Sequence, residues 1–301
     1  MKKILVIGSL NLDIVAEADH IPVVGETIIA RYSGQFQGGK GANQACAISK
    51  LGGEVVMLGA VGKDDAGDYL LQGLSDSGVD VSNIKRDTKE PTGQAWILIN
   101  KEGNNSITVL PGANYCVDIP YIEEKREIIR NSDIIVMQLE IPIETVCYIA
   151  RIAKELGKTV ILDPAPAVKD LPETLFRDTD YIKPNESELT ILTGCSVEDY
   201  KNGAEQLISK GVKNVIVSLG ADGVYCHPQD TPPFFRPAHI VEVKDTTAAG
   251  DSFLAAITLG LSRGDDLDKS IGFAQKVASI VVTRQGAQAS IPDVAELAGN
   301  K

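Results

Sequence analysis

The stretch IIVMQLEIPIETVCYIARIAKELGKTVIL, residues 134–162, contains one complete strand–helix–strand unit. Residues 134–138 are a short apolar run with β-branched side chains, which predicts a buried strand. Pro142 stands just ahead of residues 143–156, whose apolar positions recur at helical spacing, so a helix is predicted there. Residues 159–162 return to the buried-strand pattern. Downstream, strands are predicted at 181–183 and 215–219, and helices at 186–192, 200–209, 249–261 and 267–283. Steady alternation of this kind implies a parallel sheet covered by helices on both faces.

Upstream the rhythm starts with a buried strand at 4–9, then breaks. Segments 14–18 and 27–33, split by Pro22 and Gly25, read as antiparallel strands. Segments 93–100 and 106–110 alternate on either side of Gly103-Asn104-Asn105, a hairpin signature. Between them, Gly38-Gly39-Lys40-Gly41 introduces a helix at 42–51 that closes at Gly52-Gly53. A buried strand at 55–60 and a helix at 66–77 follow. The four segments outside the alternation predict a second, small sheet. Ligands in open α/β folds bind at the carboxyl edge of the parallel strands, and a small sheet over that edge would exclude water. The expected organisation is a single domain, 1–301, with a lid built from about 13–43 and 91–114 and an α/β core from the remainder.

Composition narrows the function. The chain is 44% hydrophobic and 23% charged, ordinary for a globular protein. Its five cysteines (Cys46, Cys116, Cys147, Cys195, Cys226) are scattered without a CxxC pair, which argues against a disulfide framework or a zinc site. The apolar run after Lys2 and Lys3 is short and interrupted by Ser9, Asn11 and Asp13, so it predicts a strand rather than a signal peptide. No stretch is long and apolar enough to span a membrane, and the expectation is a cytoplasmic protein. The net charge of −12 disfavours nucleic acid as a partner. Phosphate binding by such a chain needs local N–H groups and a few cations. His20, His227 and His239 are too far apart in sequence, and too far from the segments below, to suggest a metal cluster or a catalytic triad.

Four segments carry candidate chemistry. In Asp245-Thr246-Thr247-Ala248-Ala249-Gly250-Asp251-Ser252, small residues lead into a helix start, where unpaired N–H groups and the helix dipole bind anions. Asp251, in that first turn, is placed to accept a proton from a hydroxyl attacking phosphorus. The bland alternative, an acid that merely suits a helix's first turn, loses weight beside the Ala-Ala-Gly approach and the second acid, Asp245. The second segment, Gly38-Gly39-Lys40-Gly41-Ala42-Asn43, is not a P-loop, because the Ser or Thr expected after the lysine is Gly41. It is either a close backbone approach to a small polar ligand, with Lys40 and Asn43 donating to sugar hydroxyls, or a glycine-rich turn before a helix.

Third, Asn11 and Asp13 share one side of the chain after the first strand, and Glu140 lies at the carboxyl end of another. Together they offer partners for several hydroxyls, unless the first two simply cap a turn. Fourth, Asn185 precedes the helix at 186–192 as a natural N-cap, while Glu188 is a carboxylate suited to a Mg²⁺-bound water. The glycine turn from Ser218 through Gly220 to Gly223 follows another strand and suits the floor of a nucleotide pocket.

Gly8-Ser9-Leu10-Asn11-Leu12-Asp13, Gly38-Gly39-Lys40-Gly41-Ala42-Asn43-Gln44-Ala45, Gln138-Leu139-Glu140, Pro164-Ala165-Pro166-Ala167, Pro184-Asn185-Glu186 and Ala248-Ala249-Gly250-Asp251 follow one another along nearly the whole chain. This ordered set resembles the PfkB family of carbohydrate kinases, and within it the branch that phosphorylates ribose. The resemblance implies a three-layer α/β/α fold with a mainly parallel central sheet and a small β-sheet lid. It implies Asp251 as the base, with Ala248, Ala249 and Gly250 as the anion hole. It assigns Asn11, Asp13, Gly39, Lys40, Asn43 and Glu140 to the sugar, with Asp251 touching it as well. Asn185, Ser218, Gly220, Gly223, Gly250 and Gln275 are assigned to ATP, and Glu188 to Mg²⁺ through water. A K⁺ site is implied at Asp245, Thr247, Val281, Arg284, Gly286 and Ser290, several acting through carbonyl oxygens, and so is a homodimer through the lid sheets. The chain departs from the family pattern at Asp163, where asparagine is usual, at Lys183, where Thr or Val is common, and at Gln275, which is His in some relatives. Runner-up expectations are a deoxyribose or nucleoside kinase of the same family and, from a different class, a catalytically silent sugar sensor.

Overall fold

The computed structural model describes residues 1–299. In chain order the strands are β1 (Ile4–Ile7), β2 (Asn11–Glu17), β3 (Tyr32–Gly38), β4 (Val55–Leu58) and β5 (Ala60–Gly62). There follow β6 (Lys85–Asp87), β7 (Gly93–Ile99), β8 (Asn105–Leu110), β9 (Ile134–Met137) and β10 (Thr159–Leu162). The last are β11 (Tyr181–Ile182), β12 (Asn214–Ser218), β13 (Gly223–Pro228) and β14 (Phe234–Pro237).

The eight-stranded sheet runs β14-β13-β12-β11-β10-β9-β1-β4. Every pairing from β4 to β12 is parallel, and the β12–β13 and β13–β14 pairings are antiparallel. Its central strands are apolar on both faces because both faces are covered. Ile4 and Val6 of β1 join one buried cluster, while Leu5 and Ile7 join another. On the first face lie the helices Lys40–Lys50, Ala249–Ser262 and Leu267–Val281; on the second lies Ile143–Glu155. Each fully buried aliphatic side chain contributes about 1.5–3 kcal/mol of transfer free energy, so these three layers carry most of the fold's driving force. The predicted three-layer arrangement is therefore present.

The four segments outside the alternation pair as a separate sheet, β3-β2-β7-β8. β2 pairs antiparallel with β3 and parallel with β7, and β7–β8 is the expected antiparallel hairpin. One strand lies elsewhere than predicted: the pairing segment is Tyr32–Gly38, not 27–33. Thr27, Ile28 and Ile29 have strand-forming side chains, but Ile29 is 91% exposed and has no apolar face to cover it. The real strand mixes glycine and glutamine with Tyr32 and Phe36, because this sheet is largely exposed and needs no continuous apolar row.

Other boundaries differ by local chemistry. The helix after the glycine segment starts at Lys40 rather than residue 42, so residues 40–43 belong to the core and not to the small sheet. The run at 55–60 divides at Gly59 into β4 and β5, and β5 leaves the main sheet to pair with β6. The β13–β14 hairpin was not predicted. Among the described residues, no helix is long and apolar enough to cross a membrane.

Candidate active site

The helix Ala249–Ser262 begins at the carboxyl edge of the main sheet. Ala248, its N-cap, is in the left-handed region (φ 57°), where no other non-glycine residue of the described chain is found. Such a conformation costs an L-residue about 1–2 kcal/mol. It turns the chain so that Asp251, 6% exposed, faces a buried polar cluster. Asn43 Nδ2 donates to Asp251 Oδ2 at 3.0 Å, and Gln44 Nε2 donates to Asp251 Oδ1 at 3.0 Å. Both donors come from the helix Lys40–Lys50, which packs directly on the Ala249–Ser262 helix.

The expected anion hole needs one correction. The Ala249 N–H donates to the Thr246 carbonyl at 3.1 Å, so it is engaged rather than free. The N–H groups of Ala248, Gly250 and Asp251 have no acceptor among the described residues. Three unpaired donors at one helix start suit an anion. Gly250 itself is solvent-exposed, so that anion has access.

Among the residues that the sequence assigns to the sugar, the register sets Asn11 of β2 opposite Gly38 of β3 and Gly93 of β7. Asn11 is buried, and its Oδ1 accepts from Asn114 Nδ2 at 2.7 Å. Asn114 also accepts from the Leu10 N–H at 2.9 Å, fixing the turn between β1 and β2. Gly39 has φ 89°, and a β-carbon there would lie 2.7 Å from the Asn11 nitrogen, so only glycine fits. At Gly38 a β-carbon would collide with the Asp13 carboxylate, which shows how closely that side chain lies over the glycine segment. Burial, then the neighbouring Glu140 and Asp251, push the Asp13 carboxyl up to about 7. Glu140 Oε2 accepts from the Lys40 N–H at 3.0 Å and from the Ser9 hydroxyl. Burial works to lower the Lys40 ammonium's pKa, but the carboxylates of Asp251, Asp163, Glu140 and Glu188 together hold it above its ordinary value. Sequence-predicted Asn11, Asp13, Gly39, Lys40, Asn43, Glu140 and Asp251 are thus tied together by contacts, register or mutual charge. Asn43 is more committed than expected, because its Oδ1 also accepts from Gln288 Nε2 at 3.3 Å.

On the other side of the helix start, β11 and β12 bring Asn185 and Ser218 into an isolated bridge. Asn185 and Glu188 form a reciprocal capping box: Asn185 Oδ1 accepts from the Glu188 N–H, and Glu188 Oε2 accepts from the Asn185 N–H, both at 2.8 Å. The capping alternative is therefore real, and it leaves Glu188 Oε1 without a protein donor among the described residues. Gly220 and Gly223 both take positive φ, and Gly223 pairs with Pro237 of β14. Gln275 Nε2 donates to the Pro237 carbonyl at 2.8 Å, which places Gln275 beside that turn. Asp245 gathers its own group: Oδ1 accepts from the Thr247 N–H and hydroxyl, and Oδ2 from the Gly286 N–H at 2.8 Å. Burial would raise the Asp245 carboxyl, but these hydrogen bonds hold it below the usual range. Val281, Arg284 and Ser290 are engaged locally: the Val281 carbonyl accepts from the Arg284 N–H, and Ser290 Oγ donates to the Ala287 carbonyl. Arg284 also pairs with Glu296 at 3.0 Å.

Sequence reasoning missed the residues that hold the others. Gln44 is fully buried and bridges Asp251 to Asp163, donating to Asp163 Oδ2 at 2.9 Å, and its Oε1 accepts from Gln138 Nε2 at 2.6 Å. Both glutamines lie inside quoted motifs. Their signal was a long amide on an otherwise small or apolar face, which must find partners when buried.

Three unpaired N–H groups at a helix start, a buried carboxylate in its first turn and a cluster of polar side chains beside it, all on an α/β fold, suit a small-molecule kinase. The chain belongs to the pfkB family of carbohydrate kinases, whose model matches residues 1–294. It is 38% identical to a ribokinase of Schizosaccharomyces pombe, covering all of this chain and 98% of that one. It is also 38% identical to a bifunctional ribokinase/ribose-5-phosphate isomerase A of Fructilactobacillus sanfranciscensis, covering 97% of this chain but 55% of that longer protein. The structure of Arabidopsis thaliana ribokinase complexed with ribose and ATP superposes with a TM-score of 0.92 at 33% identity, covering 99% of this chain and 98% of that one.

Proposed function

We propose that this protein is a cytoplasmic ATP-dependent kinase that transfers the γ-phosphoryl group to the 5-hydroxyl of D-ribose, giving ribose 5-phosphate and ADP. The observation that carries this reading is the Asp251 carboxylate, aligned by Asn43 and Gln44 beside three unpaired N–H groups. Asp251 takes the proton from the attacking hydroxyl as the new O–P bond forms and the bond to the ADP oxygen breaks. The N–H groups of Ala248, Gly250 and Asp251 bind the oxygens of the group in transit. Asn11, Asp13, Gly39, Lys40, Asn43 and Glu140 orient the sugar. The many polar partners favour ribose over a sugar lacking a hydroxyl, since a missing hydroxyl leaves a buried partner unpaired. Relatives named as ribokinase, and one whose second activity is on ribose 5-phosphate, support both substrate and product.

Asn185, Ser218, Gly220, Gly223, Gly250 and Gln275 line the nucleotide side. Glu188 would hold Mg²⁺ through water, because the capping box leaves its Oε1 without a donor among the described residues; the ion would supply charge neutralisation on the phosphates. K⁺ would sit beside Asp245, whose carboxylate accepts three hydrogen bonds from Thr247 and Gly286 and keeps one lone-pair site; Val281, Arg284 and Ser290 are the further residues of the proposed set. The sheet β3-β2-β7-β8 serves as a lid over the sugar and as a homodimer surface. Its exposed Phe36, Trp96, Ile107 and Val109 support an apolar contact there.

ADP release measured with ribose, 2-deoxyribose and adenosine tests the substrate. The expected order of kcat/KM places ribose first; faster turnover of either competitor would refute the choice of sugar.

A further inference from the structure

Two residues singled out in the sequence as departures from the family pattern, Asp163 and Lys183, meet beside the helix start. They lie at the carboxyl ends of neighbouring strands, β10 and β11. Lys183 is 4% exposed and Asp163 2%. Lys183 Nζ is 3.6 Å from Asp163 Oδ1, too long for a hydrogen bond, and that oxygen has no hydrogen-bond partner in the described structure. Lys183 has no other acceptor there. Its ammonium also lies 3.5 Å from where a β-carbon on Gly250 would sit, the nearest heavy atom to that point. The only residue of the helix start without a side chain is thus the one beneath the ammonium.

A buried ion pair at that separation loses more in desolvation than it recovers, and an ammonium with unused N–H groups in a buried site is poised for an anion. Around it stand the unpaired Gly250 and Asp251 N–H groups, Asp251 itself, and Gln44, which ties Asp251 to Asp163. The negative groups facing this spot are Asp163, Asp251 and Glu188. Burial, then Asp251 and Glu188, push the Asp163 carboxyl up, while Lys183 and Lys40 draw it down.

Resting on the phosphoryl-transfer reading above, we infer that Lys183 is a further catalytic residue of this chain, a cation that binds the terminal phosphoryl group directly. Without nucleotide it stands next to Asp163. With nucleotide, its N–H groups donate to the non-bridging oxygens of the γ-phosphoryl group, adding a charge to the three main-chain donors. Asp163 is a positioning residue that keeps the ammonium at the β10–β11 edge. No proton changes hands: the O–P bond forms and breaks as before, and Asp251 still takes the hydroxyl proton.

The test uses the full-length protein, Lys183→Met, and the charge-free double variant Asp163→Asn/Lys183→Met. Affinity for the non-hydrolysable β,γ-imido analogue of ATP is compared with affinity for ADP, alongside kcat for ribose phosphorylation and Tm. Loss of one charged contact to the γ-phosphoryl group is expected to weaken the analogue by about tenfold while leaving ADP binding unchanged, and to lower kcat by at least as much. In the double variant Tm returns to the wild-type value, because no unpaired buried charge remains, while kcat and analogue binding stay low. Recovery of both in the double variant would reduce Lys183 to a partner of Asp163 and overturn the inference. Equal weakening of analogue and ADP would also overturn it. Wild-type protein that forms no ADP from ATP and ribose in the same assay would overturn the kinase reading, and this inference with it.

Discussion

The eight-stranded sheet and the four-stranded sheet meet at the proposed site but are built to opposite rules. In the larger sheet β1 and β9 are buried along their whole length, and their alternate side chains feed two separate cores. In the smaller sheet every residue of β8 is exposed, and Trp96 and Phe36 face solvent. The difference separates two tasks. Groups that must be held to a fraction of an ångström, Asp251 and its amide partners, hang from buried helices whose packing resists movement. Groups that the proposed reading assigns to the sugar, Asn11 and Asp13, are themselves buried or half-buried, but they ride on a sheet whose outer strand is exposed throughout, where opening costs least.

Several measurements would break or sharpen this division. The largest effect is expected on the rigid side: Asp251→Ala should lower kcat by about 10²–10⁴-fold, the usual contribution of a positioned base. Turnover near the wild-type rate would remove Asp251 from the chemistry. Next, Gln44→Leu deletes one amide shared by Asp251 and Asp163. A hydrogen bond to a charged group is worth about 1.5–3 kcal/mol, so kcat should fall roughly tenfold to a hundredfold, with the KM for ribose little changed. A rise in KM without a fall in kcat would assign Gln44 to the sugar instead.

On the small-sheet side the effects are milder and show in binding. Asp13 has its carboxyl pushed up to about 7 by burial first, then by Glu140 and Asp251. The sugar's hydroxyls favour the ionised form, so KM for ribose should fall as pH rises through that value. Stability carries the opposite sign. Because the folded protein binds this proton more tightly than the unfolded chain, the stability contributed by Asp13 declines as pH climbs from about 4 to about 7. Tm measured against pH should show that slope, and Asp13→Asn should flatten it; an unchanged slope would mean Asp13 is not the titrating group. Smaller still, Glu188→Gln preserves a capping-box side chain, so Tm should hold while several-fold more Mg²⁺ is needed for half-maximal rate. A fall in Tm with no change in Mg²⁺ requirement would leave Glu188 a cap alone. Ile107→Asp should leave kcat intact and shift light-scattering mass from dimer to monomer; an unchanged mass would place any dimer contact elsewhere.

The same division explains what could be read from residues alone. Strands buried on both faces announce themselves as apolar runs, which is why 134–162 already showed a strand, a helix and a second strand. Tyr32–Gly38 could not be found that way, since an exposed strand rich in glycine and glutamine has no periodic apolar row. Motif residues such as Asp251 and Asn11 stood out by type and place. Which backbone donors remain free is a matter of dihedral angles: the left-handed Ala248 sends the Ala249 N–H to Thr246, and nothing in Ala-Ala-Gly announces it. Gln44 and Asn114 act through partners about a hundred residues or more away in sequence, contacts that local spacing does not encode.

One titration probes the separation of holding from chemistry most directly: ribose into Asp251→Ala by calorimetry, run beside the ADP assay on the same preparation. The account predicts that ribose still binds, within about tenfold of wild type for one lost hydrogen bond, while ADP formation collapses. Intact ADP formation in that variant, or sugar binding lost together with it, would contradict the claim that the buried helix start performs the transfer while other groups, Asn11 and Asp13 of the small sheet among them, hold the sugar.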